Sequence, residues 1–283
     1  MTIKPRDFTD HFIKVGSLNM HYVDWGNHGA PPVLLLHGGS QSAHSWDEFS
    51  LNMRSSYHVI ALDQRGHGDT SWSPRCIYTL NAHLRDITSF VKQVGLKKFV
   101  LVGLSMGGMN AYAYAAIHPE EVHRLVIVDI GPETTSKGGE AIRRVTKVKR
   151  LPSFDSFVER SMRYNPRRTE QQIRDRLSYH LREYPDGTWG WKWDHRRFGK
   201  QLGPRKPEDL WRYVRRLKMP TLLVRGSQSD IWSDRAARRV QKAIPDSTLV
   251  TIEDAGHTVA GDNPPAFYAA VQAWLKKTGA WPE

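Results

Sequence analysis

The segment Phe99-Val100-Leu101-Val102-Gly103-Leu104-Ser105-Met106-Gly107-Gly108 joins a short apolar run to an Ala- and Tyr-rich stretch through three glycines and a serine. Phe99 to Ile117 carries no formal charge over nineteen residues, a length that suggests a membrane span. The glycines at 103, 107 and 108 argue against that. They divide the segment into strand, turn and helix, as expected of a buried unit in a soluble protein. Within it, Gly103-Leu104-Ser105-Met106-Gly107 is a G-x-S-x-G elbow with a strand before it and a helix after it. A side chain at either flanking glycine would clash with the neighbouring strand or helix. The chain therefore turns tightly and holds Ser105 in a strained conformation at the strand's C-terminal end. The helix that follows offers an unpaired N–H and a positive dipole where an oxyanion would form.

Outward from this unit, continuous apolar runs recur at Val33–Leu36, Val59–Leu62, Leu125–Val128, Thr221–Val224 and Thr248–Ile252. Such runs suit strands buried on both faces. Leu18 to Asp24 alternates instead, predicting a half-buried antiparallel strand near a sheet edge. Helical spacing appears over Leu80–Val94, Met106–His118, Asp234–Ala243 and Pro265–Leu275. Strand and helix alternate, which predicts a mainly parallel sheet covered by helices on both faces. The alternation fails for about ninety residues between Asp129 and Thr221, too long for one crossover. The segment has its own helical pattern at Ile173, Leu177, Leu181 and Tyr184. The expected organisation is a core of 1–131 and 213–283 with an inserted, mostly helical cap over 132–212.

A serine hydroxyl needs a base to become a nucleophile. Asp254-Ala255-Gly256-His257 follows the last strand, which puts His257 at the same sheet edge as Ser105. The order serine, acid, histidine singles it out among thirteen histidines. The orienting acid has two candidates at strand ends, Asp230 and Asp129. Asp230 is preferred, with Asp129 read as a hydrogen-bonding anchor of the cap hinge. His37-Gly38-Gly39-Ser40 follows another strand, and its glycines let backbone N–H groups approach a substrate. Gly39 N–H with Met106 N–H would form the oxyanion hole, Ser40 being a near alternative to Gly39.

With these motifs, the sequence resembles the α/β-hydrolase superfamily over nearly its whole length. His37–Ser40, the Asp63-Gln64-Arg65-Gly66-His67-Gly68 loop, Gly103–Gly108, Ser229-Asp230 and Gly256-His257 carry the likeness. The resemblance implies an α/β-hydrolase fold, with a mostly parallel eight-stranded sheet, helices on both faces and an inserted helical cap. It points to a capped serine hydrolase of the group that holds esterases, lactonases, cofactor-free haloperoxidase-like enzymes and C–C bond hydrolases. Asp63–Gly68 resembles a structural signature of that group, which makes His67 structural. Haloalkane dehalogenases and epoxide hydrolases of this fold carry Asp where this chain has Ser105, so a covalent alkyl-enzyme route is not expected.

Composition bounds the rest. With 39% hydrophobic and 25% charged residues, the chain is an ordinary globular one of 283 residues. Its single cysteine, Cys76, permits no internal disulfide and fits a reducing cytoplasm. The N-terminus lacks the apolar region of a secretory signal. No cofactor or metal is expected: there is no His-Glu-x-x-His or Cys/His cluster, and the glycines at 103, 107 and 108 form no phosphate cradle. Cys76, on a loop, is not read as a nucleophile.

The formal net charge is +12, and Pro132–Arg216 alone holds 22 Lys and Arg against 11 Asp and Glu. Arg143-Arg144, Lys147, Lys149-Arg150 and Arg167-Arg168 are interleaved with acids, so a solvated face is preferred to a nucleic-acid or membrane surface. An anionic small-molecule substrate is the functional reading of the excess. Trp189, Trp191 and Trp193 would share one face of a short strand, with cap packing as the default. The favoured activity is hydrolysis of a carboxylic ester through an acyl-enzyme. Two alternatives are cleavage of a lactone or C–C bond by the same residues, and a non-catalytic ligand-binding role.

Overall fold

The computed structural model describes residues 7–135, 140, 147–164, 167–197 and 207–279. The sheet contains β1 (Thr9–Val15), β2 (Leu18–Asp24), β3 (Pro32–Leu36), β4 (His58–Leu62), β5 (Phe99–Leu104), β6 (Val122–Val128), β10 (Thr221–Gly226) and β11 (Ser247–Ile252). Their order is β1-β2-β4-β3-β5-β6-β10-β11. From β4 to β11 every neighbouring pair is parallel, whereas β2 runs antiparallel to both β1 and β4.

Each apolar run divides between two faces, because successive side chains on a strand point opposite ways. Leu34, Leu36, Ile60, Leu62, Leu101 and Leu125 pack under α2 (Leu80–Val94), α3 (Met106–Ile117) and α7 (Asp234–Ala243). Val33, Leu35, Val59, Ala61, Val100 and Val102 face α1 (Asp47–Met53) and α8 (Pro264–Lys277). Local signals set the helix ends. Thr79 caps α2 by accepting from the Ala82 N–H, and Gly95 closes it in the left-handed conformation at φ 76°.

Strand β1 has no counterpart in the apolar pattern. Six of its seven residues are exposed or half-buried, and it pairs along one side only, with β2. An edge strand wetted on both faces needs no alternation, so none is written into Thr9–Val15.

The insertion is helical but not wholly so. Helices α4 (Phe154–Tyr164) and α5 (Glu170–His180) accompany a three-stranded antiparallel sheet of β7 (Arg150–Leu151), β8 (Leu181–Glu183) and β9 (Trp189–Trp191), with β9 central. The helical spacing read through Leu181 and Tyr184 stops at His180, where the chain enters β8 and pairs with β9. The three tryptophans pack the cap. Trp189 meets Phe154 and Trp191 meets Phe157 edge-on at 5.2 and 5.0 Å, and Trp193 joins the same cluster with Ile173 and Leu177. The core resumes before residue 213: α6 (Pro207–Val214) packs on α3 and buries Leu210, Trp211, Tyr213 and Val214 in the main cluster.

Of the basic residues singled out from the sequence, Arg143 and Arg144 lie outside the described residues. Lys147 and Lys149 are exposed, Arg150 pairs with Asp186 at 2.9 Å, and Arg168 pairs with Asp262 at 3.0 Å.

Asp63 organises the loop from 63 to 69. Its fully buried carboxylate accepts from Ala43 N–H at 2.6 Å, Asp69 N–H at 2.8 Å and His21 Nδ1–H at 2.7 Å. A Cβ at Gly68 would overlap that carboxylate, and its φ of 53° also favours glycine. His67 is buried with Nδ1 on the Arg65 carbonyl at 3.0 Å, in keeping with a structural part. Burial alone would raise the Asp63 carboxyl, but the His21 hydrogen bond and charge hold it below the ordinary carboxylate range. A lowered folded-state pKa contributes stability above about pH 4, lost as pH falls through the folded value. Asp63→Asn leaves N–H groups facing an amide and should cost about 3 kcal/mol in urea unfolding at pH 7. The variant should also lose part of the wild type's destabilisation below about pH 4.

Candidate active site

The elbow works by close approach of backbones. A Cβ on Gly107 would run into the Leu36 carbonyl, and one on Gly103 into the Gly107 carbonyl. On Gly108 it would lie 2.6 Å from Ile130 Cγ2. Only hydrogen fits at these positions, so α3 can start directly above β3 and β5. Ser105 takes the strain, with φ 53° and ψ −115°. Its N–H donates to Val128 O at 3.0 Å, which ties the serine to the end of β6.

The next residue in β6's path is Asp129, also at positive φ (50°), with its N–H on Val224 O at 2.8 Å. Its carboxylate is completely buried. It accepts Gly226 N–H at 3.1 Å, Ser229 Oγ–H at 2.5 Å and His257 Nδ1–H at 2.7 Å. On the other side of the ring, His257 Nε2 is 2.9 Å from Ser105 Oγ. With Nδ1–H given to Asp129, Nε2 presents its lone pair to the serine hydroxyl. The loop that carries His257 is held just as closely: a Cβ on Gly226 would lie 2.6 Å from the Ala255 carbonyl.

The structure brings Asp129, and not the preferred Asp230, to His257. Asp230 is exposed, and its backbone carbonyl, accepting from Thr135 Oγ1, makes its described polar contact. The turn after β10, closed by Ser229 N–H on Gly226 O at 3.0 Å, aims Ser229 rather than Asp230 at the histidine's partner. The sequence marks Ser229 only as the neighbour of Asp230 in the family likeness, and a serine beside an aspartate gives no signal that its hydroxyl will serve an acid a hundred residues away.

Gly38 lies beside the elbow, where a Cβ would be 3.5 Å from Ser105 Cβ. Its N–H donates to the buried Gln41 Oε1 at 3.0 Å, and its carbonyl receives Gln41 N–H at 3.2 Å. Gln41, unremarked in the sequence, thus consumes the Gly38 amide and leaves Gly39 as the next N–H of the loop. Met106 is the first residue of α3, directly after Ser105.

Cap residues close over this edge. Arg168 donates to Thr258 Oγ1 and Asp262 Oδ1, both at 3.0 Å, immediately after His257 in the chain. Asp194, fully buried, donates its N–H to Gly66 O at 2.7 Å and accepts from Tyr78 O–H at 2.5 Å. From α5, Tyr179 stacks on His44 at 3.7 Å. His180 Nδ1–H donates to Arg176 O at 2.6 Å, which leaves Nε2 to accept from Ser45 Oγ at 3.2 Å. Burial first, and then the Arg176 charge, hold His180 well below the usual imidazole pKa, so the ring is neutral. No described helix is long and apolar enough to cross a membrane.

Comparison with known proteins agrees with this architecture. The alpha/beta hydrolase fold family profile matches residues 31–264. An esterase of Mycobacterium tuberculosis is 30% identical over 260 residues, covering 89% of this chain and 84% of that protein. Its crystal structure superimposes with a TM-score of 0.79 at 26% identity, over 95% of this chain and 91% of the other. An sn-1-specific diacylglycerol lipase of Mus musculus is 28% identical over 263 residues, covering 88% of this chain and 82% of its own. The chain is a hydrolase, and it belongs to the alpha/beta hydrolase fold family.

Proposed function

We propose that the protein hydrolyses a carboxylic ester through an acyl-enzyme, with Ser105 as nucleophile, His257 as general base and Asp129 as the orienting acid. The observation that carries this reading is the single imidazole joined to Ser105 Oγ at 2.9 Å and to Asp129 Oδ2 at 2.7 Å. Ser105 Oγ attacks the ester carbonyl carbon while His257 Nε2 takes the hydroxyl proton. The carbonyl oxygen becomes an oxyanion, met by the N–H groups of Gly39 and Met106. As the tetrahedral adduct collapses, His257 returns the proton to the leaving alkoxide. Water, deprotonated by the same imidazole, then releases the acid and restores the serine. The neutral Nδ1–H tautomer is stabilised by the buried Asp129 carboxylate, which also offsets the imidazolium charge in each transition state. These steps require no cofactor. The names of the esterase and the lipase relatives support an ester as substrate.

A substrate with a negative charge fits the cap. Arg176 lies on the flank of α5 shared with Tyr179 and His180, the flank that meets the 43–46 loop. Its guanidinium makes no hydrogen bond or ion pair among the described residues. Burial pulls its pKa down, Arg168 adds to that, and Asp262 opposes it. Asp262 is already engaged by Arg168, Thr258 Oγ1 and Gly256 N–H. A carboxylate on the substrate would satisfy Arg176 where no protein acid does.

Ser105→Ala should lower kcat on p-nitrophenyl esters by on the order of 10⁴-fold or more, with near-wild-type stability. Asp129→Asn should lower it by on the order of 10⁴-fold, and Asp230→Asn by no more than about twofold. The opposite ranking of the two acids would move the acid back to Asp230. Arg176→Gln should reduce kcat/KM for a p-nitrophenyl hemisuccinate by about 10- to 100-fold while sparing p-nitrophenyl butyrate. Equal losses on both esters would remove the case for an anionic substrate.

A further inference from the structure

The edge of the sheet away from Ser105 carries a second cluster of chemistry-bearing side chains. The parallel strands end at the serine, so their beginnings form the opposite edge, and His58 is the first residue of β4. Asp24 closes β2, which runs antiparallel to β4, and so reaches the same edge. His28 stands on the connecting turn, which Ala30 N–H closes on Asn27 O at 2.9 Å. The backbone around all three is fixed by Trp25 N–H on Val59 O at 2.9 Å and His58 N–H on Pro31 O at 3.0 Å.

The three side chains converge on one point. His28 Nδ1 is 3.2 Å from His58 Nε2, His58 Nε2 is 3.1 Å from Asp24 Oδ2, and His28 Nδ1 is 3.8 Å from that same oxygen. The three atoms lie on a circle of about 2.0 Å radius, so an ion about 0.6 Å above their plane would be about 2.1 Å from each, the bond length zinc makes to imidazole nitrogen and carboxylate oxygen. The three separations also bracket the edge of about 3.3 Å expected for a tetrahedron of that radius. Asp24 Oδ1 accepts Gly26 N–H at 2.8 Å and also lies 3.1 Å from His58 Nε2, while Oδ2 faces both rings. The nearby cation, Arg54, is paired with Asp7 at 3.2 Å.

His58 Nε2 lies 3.1 Å from both Asp24 oxygens, so its N–H can serve the carboxylate, but His28 Nδ1, 3.8 Å from Oδ2, gains no hydrogen bond from Asp24. With each ring's proton on its outer nitrogen, the two nitrogens and the carboxylate present lone pairs to one point, a donor set that suits a divalent cation.

We propose that Asp24, His28 and His58 form a divalent zinc site that clips the 25–30 turn to the start of β4. Water completes the tetrahedron on the side where the His28 side chain is 74% exposed. The ion sits at the edge opposite Ser105, so its role is structural and ester hydrolysis does not depend on it.

The test is titration of the metal-free protein with zinc chloride, read by calorimetry and by thermal unfolding, with cobalt(II) absorption reporting geometry. The expected result is uptake of one zinc per chain, a raised Tm, and a tetrahedral cobalt band. His28→Ala removes an exposed side chain and should fold normally. It should weaken zinc binding at least tenfold, abolish the Tm shift and leave ester hydrolysis unchanged. His257→Ala should bind at this site as the wild type does. Equal zinc affinity in His28→Ala and wild type would overturn the site. So would the absence of uptake at millimolar zinc, which would mean that a proton alone holds the cluster.

Discussion

The start of α3 is pressed so tightly onto β3 and β5 that Gly103, Gly107 and Gly108 have no room for a methyl group. Everything at the candidate site follows from that contact. It forces Ser105 to positive φ, raises its hydroxyl above the sheet edge and aims the first amides of α3 at the same space. The strain is carried by packing on both sides, because the Ser105 N–H stays bonded to Val128 O while the following helix is held on the strands below. A looser contact would let the serine relax, and the hydroxyl would lose its fixed distance to the imidazole.

The parallel ladder does the rest of the positioning. Strands β5, β6, β10 and β11 lie side by side and end together, so Ser105, Asp129, Gly226 and the His257 loop emerge at one edge. Asp129 is the central piece. Buried without exposure, its carboxylate is held by three donors, two from the turn after β10 and one from the His257 loop. A carboxylate so fully bonded keeps its orientation toward the imidazole. The cap adds a further restraint through Arg168, which grips Thr258 and Asp262 just past the histidine. Cap and histidine loop are therefore mechanically linked, and the cap's excess of basic residues includes one that serves this joint.

The parts of the fold legible in the sequence were those with strong local causes. Central strands must be continuously apolar, β2 alternates, the edge strand β11 keeps an apolar run although much of it is exposed, and helices over the sheet repeat at helical spacing, so seven of the eight strands and four helices could be read from pattern. β1 could not, because an edge strand exposed on both faces has no composition to betray it. The cap's small sheet was equally hidden: β7 to β9 are two or three residues long, and their pairing depends on contacts made across the insertion. The boundary expected at 212 falls inside helix α6, since a basic composition says nothing about which cluster an apolar face will join.

The sequence by itself determined the architecture, the elbow and the pairing of a serine with a C-terminal histidine. Each is encoded by short-range chemistry: apolar runs, glycines where backbones touch, and a fixed chain order. Only the tertiary structure decided which aspartate faces His257. Asp129 and Asp230 both follow parallel strands, at neighbouring positions in the sheet. The choice turns on a single tight turn after β10 that aims Ser229 inward and leaves Asp230 in solvent. The same holds for Asp24, His28 and His58, whose meeting depends on two strands and a turn brought together at one edge. Side-chain direction at a strand end is set by long-range packing, and no local pattern records it.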